Sequence, residues 1–302
     1  MLSRHTISYL SRRFEQAGVR LEHRYGQNFL VDLNIHTLII DAALLGPSDV
    51  VLEVGTGAGA LTSLIAQQAA AVVTVEIDPR LYQIASEELV EFSNVTLLQH
   101  DALQSKHQLD TRVLAALQEA LAAGAGRRVK LVANLPYGAA TPVISNLLAT
   151  ELPLASLTVT IQKELGDRIL AEPGSKDYGA LSIWIQAQCQ GQLVRVLPPS
   201  VFWPQPKVHS AIVHLEVVPE WQAAIPDRAF FHELVRSLFL HRRKVLRGAL
   251  AAARQDLSKA DADELLAAAG LDGNVRAEQL DVEQMLELCR AVAARTKLKA
   301  ES

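Results

Sequence analysis

Cysteine and long apolar runs are both scarce in this chain of 302 residues. The two cysteines, Cys189 and Cys289, lie far apart and follow no metal-ligand spacing, so we expect reduced core thiols and no bound metal. No run approaches the ~18 uncharged apolar residues of a membrane span, and no signal-peptide core is found. These absences predict a cytoplasmic protein without a membrane partner, whose length suffices for a catalytic domain and a smaller second domain.

A surplus of positive charge is also missing, since the formal net charge is −4. Phosphate contacts normally need Lys and Arg, so this total argues against a nucleic-acid partner. The distribution argues the other way, because residues 236–254 hold several basic residues and no Asp or Glu. Four of them form what we name the basic cluster: Arg242, Arg243, Lys244 and Arg247. The cluster predicts a nucleic-acid docking surface, and a solvated helix face is the alternative.

The first residues of the chain are rich in arginine and serine, and Glu15 is the only acid among the first twenty. Such a composition is also typical of transit peptides. Because the sequence continues without a break into GQNFL, we predict instead a basic arm over residues 1–23.

Residues 50–163 alternate short β-branched runs with helical stretches, which is typical of βαβ units and a parallel sheet. The predicted strands are 50–54, 72–77, 95–100, 130–133 and 157–161, and the helices between them include 61–70 and 113–123. Residues 182–218 are strand-rich, with predicted turns at Gly191 and at a proline cluster in 198–206. This part predicts an antiparallel pair that closes the sheet.

Strand signals stop after Pro219, and the rest of the chain predicts helices over 228–243, from 244 onward, over 261–269 and over 281–294. Asp261 with Glu264, and Asp281 with Gln284, have the spacing of a capping box at a helix start. We therefore predict a catalytic domain over 24–218 and a helical docking domain over 219–302.

Three glycines, Gly55, Gly57 and Gly59, follow the first predicted strand in the segment VLEVGTGAGALT. Backbone without a Cβ atom lets a ligand approach closely. With Ala60 the segment matches the pattern G-x-G-x-x-G/A, and Glu76 lies about twenty residues on, where an acid that binds ribose hydroxyls is expected. A nicotinamide dinucleotide and S-adenosylmethionine fit these residues equally well.

The ends of the next strands favour the second cofactor. The third strand ends at Asp101, and the fourth ends in Asn134-Leu135-Pro136-Tyr137, a tetrad for which an oxidoreductase has no evident use. With these residues the chain resembles the ribosomal RNA adenine dimethyltransferases of the small-subunit type. The matching segments run in order along residues 24–284: RYGQNFL, EVGTGAGALT, VEID, NLPYGAATP, IQKE, PGSKDYGALS, PPSVFWPQPKVHSAIV, HRRKVLRGAL and VRAEQL. The resemblance implies a Rossmann-like α/β sheet that binds S-adenosyl-L-methionine, followed by a small all-α domain.

The resemblance also implies a role for each cofactor-binding residue. Asn28 and Leu30 would cover the cofactor, and Gly55 would lie against its methionine portion. Glu76 would bind the ribose hydroxyls, and Asp101 would bind the adenine amine. The remaining cofactor residues implied by the resemblance are Gln27, Gly57, Ala102 and Asn134.

Methylation of an adenine amine needs positioning, because its lone pair is delocalised into the ring and the tetrad contains no strong base. By the resemblance, the side-chain oxygen of Asn134 and the backbone carbonyl of Leu135 or Pro136 accept hydrogen bonds from the amine and stabilise the charge that develops on it. Tyr137 would stack on the extruded base, with Phe202 on the opposite face. For both aromatic rings, ordinary core packing is the alternative.

Several residues depart from the family pattern. The family usually has Pro at the position of Thr56, a polar residue at Gly138 and an acid at His209, and smaller residues or proline at Trp203 and Gln205. These departures leave the shape of the base pocket open.

The resemblance implies dimethylation of adenines in the small ribosomal subunit or its precursor, by a monomer that has a role in ribosome assembly. Three alternatives stay open. They are the antibiotic-resistance type that methylates large-subunit RNA, an assembly factor without catalysis, and a nicotinamide oxidoreductase. Asn-x-Pro-Tyr tetrads with two prolines also occur in DNA adenine methyltransferases, and Leu135 favours the RNA branch.

Overall fold

The computed structural model describes residues 7–18, 28–254 and 256–300. The chain divides into two compact units. One comprises Met1–Gly166 and Gly191–Val217, and the other comprises Asp167–Gln190 and Val218–Ser302. No helix within the described ranges is both long and apolar enough to cross a lipid bilayer.

Strands and helices alternate along most of the first unit. In chain order they are α1 (Ile7–Gln16), β1 (Phe29–Leu30), α2 (Leu33–Ala43), β2 (Asp49–Val54), α3 (Ala60–Ala66), β3 (Ala71–Glu76), α4 (Pro79–Glu88), β4 (Val95–Gln99), β5 (Leu103–Ser105), β6 (Gln108–Leu109), α5 (Thr111–Ala122), β7 (Arg128–Asn134), α6 (Tyr137–Leu148) and β8 (Leu154–Gln162). The chain continues through α7 (Lys163–Ile169), α8 (Ala180–Gln186), β9 (Cys189–Leu197), β10 (Phe202–Trp203) and β11 (Ser210–Val217).

The main sheet has the strand order β4-β3-β2-β7-β8-β11-β9. The pairings from β4 to β8 are parallel, and β11 runs antiparallel to β8. All six residues of β2, DVVLEV, are buried, as expected of a central parallel strand covered on both faces. The predicted Rossmann-like sheet is therefore confirmed, and β11 and β9 close it beside β8, where the sequence predicts an antiparallel pair. The carboxyl ends of β2, β3, β4 and β7 meet along one edge, where α/β folds place their ligands.

The strand-rich prediction for residues 182–218 is wrong at its start. Ala180–Gln186 is helical, and Gly191 lies inside β9 instead of at a turn. Periodicity cannot separate a strand from a buried helix in an apolar run as short as ALSIWIQ. The helix is favoured by its start, where the Gly179 N–H donates to the Ser182 hydroxyl over 3.0 Å.

The carboxyl-terminal part of the chain is helical, as predicted. Its helices are α9 (Pro219–Ala223), α10 (Arg228–Leu240), α11 (Leu246–Ala253), α12 (Lys259–Ala268) and α13 (Val282–Ala300). The capping box of Asp281 and Gln284 is confirmed, since each side chain accepts the backbone N–H of the other. The one assigned to Asp261 is wrong, because Ser258 caps α12 and Asp261 is the third helical residue, bonded back to Ser258.

The domain ranges predicted from sequence, 24–218 and 219–302, assign one segment to the wrong unit. Residues 167–190 belong to the helical unit, because Trp184 of α8 stacks on His232 with ring centroids 4.4 Å apart and also packs near Phe231. Burial of a large indole fixes this assignment, and no boundary signal in the sequence reveals it.

The predicted arm over residues 1–23 also needs correction where it is described. Residues 7–16 form α1, whose Leu10 and Phe14 are buried with Leu81 and Ile84 of α4. This part of the arm is therefore a packed element of the first unit. Residues 1–6 and 19–23 lie outside the described residues.

Candidate active site

The glycine turn after β2 has a backbone that side chains would disturb. Gly55 and Gly57 have φ angles of 89° and 58°, in the left-handed region. A Cβ on Gly55 would lie 3.3 Å from the Pro136 ring, and a Cβ on Gly57 would lie 3.3 Å from the Phe29 ring. The absence of side chains therefore lets the turn approach both the segment before α2 and the tetrad after β7.

Glu76 ends β3 and lies beside this turn with only 5% of its surface exposed. Its two carboxylate oxygens accept backbone N–H groups, from Gly57 over 2.8 Å and from Asp78 over 2.9 Å. Burial raises the pKa of this carboxyl to about 7, against the opposing effect of these N–H donors. A ligand that offers further hydroxyl donors would favour the ionised form, because each carboxylate oxygen has a second lone pair.

A second buried acid, Glu53, lines the same cavity and was given no role by the sequence. Its Oε2 accepts the hydroxyls of Thr62 and Thr74 over 2.5 and 2.6 Å, and Thr74 also bonds to Thr56 over 2.7 Å. Burial raises the pKa of Glu53 to about 8. The polar Thr56, where the family usually has Pro, thus joins a buried network behind the glycine turn. An acid inside a β-branched run was the sequence signal that could have revealed it.

The tetrad after β7 is held by backbone and side-chain bonds. The Asn134 Nδ2 donates to the carbonyl of Asn28 over 3.0 Å, and the Leu135 N–H donates to the carbonyl of Thr160 over 3.1 Å. Since the amide is planar, fixing Nδ2 also fixes Oδ1, which is an acceptor. Asn134 is therefore hydrogen-bonded to the segment around Asn28, which is predicted from the sequence to cover a cofactor.

Tyr137 begins α6 and lines the cavity. Its hydroxyl lies 2.8 Å from the hydroxyl of Ser210 on β11, which is fully buried. Partial burial raises the pKa of Tyr137, so the phenol stays neutral in the physiological range. Ser210 fixes the phenol end of Tyr137, a role that the sequence did not indicate.

Asp101 and Ala102 follow β4 and begin the small hairpin of β5 and β6. The Asp101 Oδ1 accepts the Leu103 N–H over 2.9 Å, and the Ala102 carbonyl accepts the Asp110 N–H over 2.9 Å. Asp101 is exposed while Ala102 is buried. The carboxylate is therefore available at the rim of the cavity.

These elements enclose a cavity of about 720 Å³ at the carboxyl ends of the parallel strands. It is lined by the cofactor and tetrad residues predicted from sequence that the structure describes, except Phe202: Asn28, Leu30, Gly55, Gly57, Glu76, Asp101, Ala102, Asn134, Leu135, Pro136 and Tyr137. Gln27 lies outside the described residues. The residues of the cavity fit an S-adenosyl compound. The buried carboxylate of Glu76 lies beside a turn without Cβ atoms, and the carboxylate of Asp101 follows the neighbouring strand.

Comparison with known proteins decides the family. A family model described as ribosomal RNA adenine dimethylase matches residues 18–294. The chain belongs to this family. The predicted family, enzyme class and use of S-adenosylmethionine are thereby confirmed for this dimethylase, and the nicotinamide alternative is wrong.

Curated relatives extend over nearly the whole dimethylase. The ribosomal RNA small subunit methyltransferase A of Alkaliphilus metalliredigens is 41% identical over 282 residues, covering 93% of this chain and 95% of the relative. The protein of the same name from Alkaliphilus oremlandii is 42% identical over 259 residues, covering 86% and 87%. The matches therefore span most of this chain and most of each relative.

Two solved structures share the fold. A dimethyladenosine transferase from Plasmodium falciparum has a TM-score of 0.71 and 23% identity, covering 88% of this chain and 97% of its own. The 23S rRNA methyltransferase ErmE has a TM-score of 0.62 and 24% identity, covering 88% and 100%. Because a dimethyladenosine transferase and a 23S rRNA methyltransferase both resemble the dimethylase in fold, the fold alone does not select the substrate.

The structure does not support Phe202 as a stacking partner for the base. Phe202 pairs with Leu30 between β10 and β1, is 1% exposed and packs with Leu30 and Ile212 in the core. It is not among the residues that line the cavity. Core packing, the alternative named from the sequence, therefore describes Phe202 in this dimethylase.

The basic cluster is partly neutralised within the second unit. Arg242 pairs with Glu278 over 2.8 Å, and Arg247 pairs with Asp263 over 2.5 Å. Arg243 and Lys244 are exposed and form no ion pair with the described part of the chain. The available charge of the cluster is therefore concentrated in these two residues.

Proposed function

We propose that this dimethylase transfers methyl groups from S-adenosylmethionine to the exocyclic amine of adenines in small-subunit ribosomal RNA, giving N6,N6-dimethyladenine. The observation that carries the proposal is that Glu76, Asp101 and the Asn134–Tyr137 tetrad line one cavity. Relatives of nearly equal length that are named small subunit methyltransferase A support the choice of RNA.

The acids of the cavity would hold the cofactor. Glu76 accepts hydrogen bonds from the ribose hydroxyls, and Asp101 accepts one from the adenine amine. Asn28 and Leu30 cover the cofactor, and the Cβ-free turn at Gly55 and Gly57 admits its methionine portion. When bound, the sulfonium supplies an activated methyl group.

The tetrad would bind the target amine. The Asn134 Oδ1 and the carbonyl of Leu135 or Pro136 accept its two N–H groups, which draws the nitrogen toward tetrahedral geometry and localises its lone pair. Both acceptors stabilise the positive charge that develops as the N–C bond forms and the S–C bond breaks. The amine proton then passes to solvent. Tyr137 stacks on the base while Ser210 holds its hydroxyl.

The basic cluster would dock the RNA substrate. Arg243 and Lys244 are exposed cations in the turn between α10 and α11, where they can reach phosphates. Their acid-paired neighbours, Arg242 and Arg247, would contribute less, because an anion must compete with Glu278 and Asp263. We further propose that the dimethylase acts as a monomer in the cytoplasm, on the small subunit or its precursor.

The test uses small and large ribosomal subunits that lack adenine dimethylation, incubated separately with labelled cofactor. We expect label in the small subunits, at adenine amines identified by nuclease digestion and mass analysis. Asn134→Ala is the matched control and should leave the digest unlabelled. Label confined to large subunits would replace the proposal with the large-subunit alternative, and label outside adenine amines would end it.

A further inference from the structure

Helix α1 supplies a residue to the cavity that neither the motifs nor the proposed function assign. Leu10 lines the cavity and is 3% exposed, whereas Ile7, one turn earlier on the same helix, is 46% exposed. Leu10 packs with Ala58 and Leu81, which also line the cavity. The apolar wall beside the glycine turn is therefore shared between α1 and α4.

Two polar contacts fasten α1 to the end of α4. The Tyr9 hydroxyl donates to Glu88 over 2.5 Å, and Arg13 pairs with Glu87 over 2.6 Å. The pKa of Arg13 is raised, chiefly by its hydrogen bond to Glu87, so the pair is ionised throughout the physiological range. Because Arg13 is paired with an acid, its charge serves this contact and is less available to a phosphate.

An aromatic cluster joins the buried face of α1, which carries Leu10 and Phe14, to residues 28–30. The Phe14 ring lies 4.9 Å from that of Phe29 in an edge-to-face arrangement and 5.7 Å from that of Trp203. Phe29 stands between Asn28 and Leu30, and its ring occupies the space that a Cβ on Gly57 would meet. Trp203, one of the departures from the family pattern, thus packs against α1.

We propose that α1 forms one wall of the cofactor site, that Leu10 contacts the bound S-adenosyl compound, and that the Arg13–Glu87 pair keeps this wall in place. The inference rests on the proposed position of the cofactor in the cavity. It assigns to the amino-terminal segment a role in cofactor retention, separate from RNA docking.

The first measurement is the affinity of the purified full-length protein for S-adenosylhomocysteine by calorimetry, which requires no RNA and no turnover. Leu10→Ala should weaken binding about five- to tenfold, as expected for the loss of a buried apolar contact. Ile7→Ala, on the exposed part of the same helix, is the matched control and should leave the affinity unchanged. Equal affinities for the two variants would overturn the proposal.

A charge exchange tests the Arg13–Glu87 contact while leaving Leu10 and the aromatic cluster unchanged. Arg13→Glu should speed dissociation of S-adenosylhomocysteine in stopped-flow measurements, and adding Glu87→Arg should restore the slow rate. Ligand should also slow amide hydrogen exchange over residues 10–14 in the unmodified protein. The role of α1 would be contradicted if the dissociation rate of Arg13→Glu equalled that of the unmodified protein. It would also be contradicted if the ligand left the amide hydrogen-exchange rates of residues 10–14 unchanged.

Glu76→Ala separates this inference from the proposed function. If Glu76→Ala loses affinity and Leu10→Ala does not, the cofactor lies in the cavity and only the α1 wall is wrong. If Glu76→Ala binds S-adenosylhomocysteine with unchanged affinity, the cofactor lies elsewhere. Both the proposed cofactor position and the proposed role of α1 would then be wrong.

Discussion

The cavity of the first unit and the basic cluster of the second unit both carry charge, but in opposite physical settings. The cavity holds carboxylates that are buried and bonded to fixed donors, such as Glu76 with the N–H groups of Gly57 and Asp78. The cluster holds exposed cations, two of them paired with acids on the surface. Burial shields Glu76 from salt and raises its pKa to about 7, whereas salt screens the exposed cations of the cluster. Cofactor affinity should therefore follow pH, and RNA affinity should follow salt.

The largest expected effect separates chemistry from RNA binding. Asn134→Ala removes one of the two proposed acceptors for the amine, so kcat should fall by roughly 10²–10³-fold. Affinity for small subunits, measured by filter binding, should change little. Affinity for S-adenosylhomocysteine, measured by calorimetry, should fall by far less than kcat, because Asn134 also holds the Asn28 segment over the cavity. A variant that keeps most of its kcat would show that Asn134 does not touch the reacting amine.

The next effect concerns Glu76. Its pKa of about 7 in the free protein means that the ionised form, which best accepts the ribose hydroxyls, is lost as pH falls through that value. From about pH 8 to about pH 6 the affinity for S-adenosylhomocysteine should drop by about tenfold, since most of the group becomes protonated. Calorimetry across this range should also detect proton release on binding at the lower pH.

Glu76→Gln is the control for that pH dependence, because it keeps the shape of the side chain and removes its titration. The variant should bind more weakly at the higher pH and no longer show the loss of affinity that is centred near pH 7. Adding salt should leave the affinity of the unmodified protein nearly unchanged. A strong salt effect on cofactor binding would break the contrast between the two regions.

A salt-dependent effect is expected for the exposed cations of the basic cluster. Reversing the two cations without ion pairs, in Arg243→Glu with Lys244→Glu, should weaken binding to small subunits by about tenfold at low salt and reduce its salt dependence. Cofactor affinity should not change. Lys259→Glu, at another exposed position at the start of α12, is the control. RNA affinity that is unchanged in the double reversal would exclude the cluster as the docking surface.

The smallest expected effect concerns the hydrogen bond between Tyr137 and Ser210 in the base pocket. Tyr137→Phe and Ser210→Ala each remove one half of the same hydrogen bond while leaving the ring in place. Each should lower kcat about threefold to tenfold, and the double variant should lose no more than either single one. Additive losses would mean that Ser210 does not act through Tyr137.

Much of the sheet and of the cavity could be predicted from the sequence, because the relevant residues are fixed by local rules. The β-branched runs gave the parallel strands, and the glycines between β2 and α3 marked the ligand turn. Glu76, Asp101 and Asn134 lie at or just after the ends of parallel strands. Their side chains could therefore be expected to meet at one edge of the sheet.

The parts that escaped prediction depend on contacts between distant segments. Glu53 is hydrogen-bonded by Thr62 and Thr74, which are distant in sequence. Phe202 is buried in the core, where its strand pairs with that of Leu30. The basic composition near the amino terminus predicted an exposed arm, yet Leu10 and Phe14 bury one face of α1. Local patterns do not encode such pairings, which arise only when the chain is folded.

The most direct test is a crystal structure of the protein with S-adenosylhomocysteine and an adenosine nucleotide. We expect the Glu76 carboxylate on the ribose hydroxyls of the cofactor and the Asn134 Oδ1 about 3 Å from the adenine amine, on the side facing the sulfur. A ligand-filled cavity in which Asn134 faces away from the sulfur, with the amine bound elsewhere, would contradict this expectation.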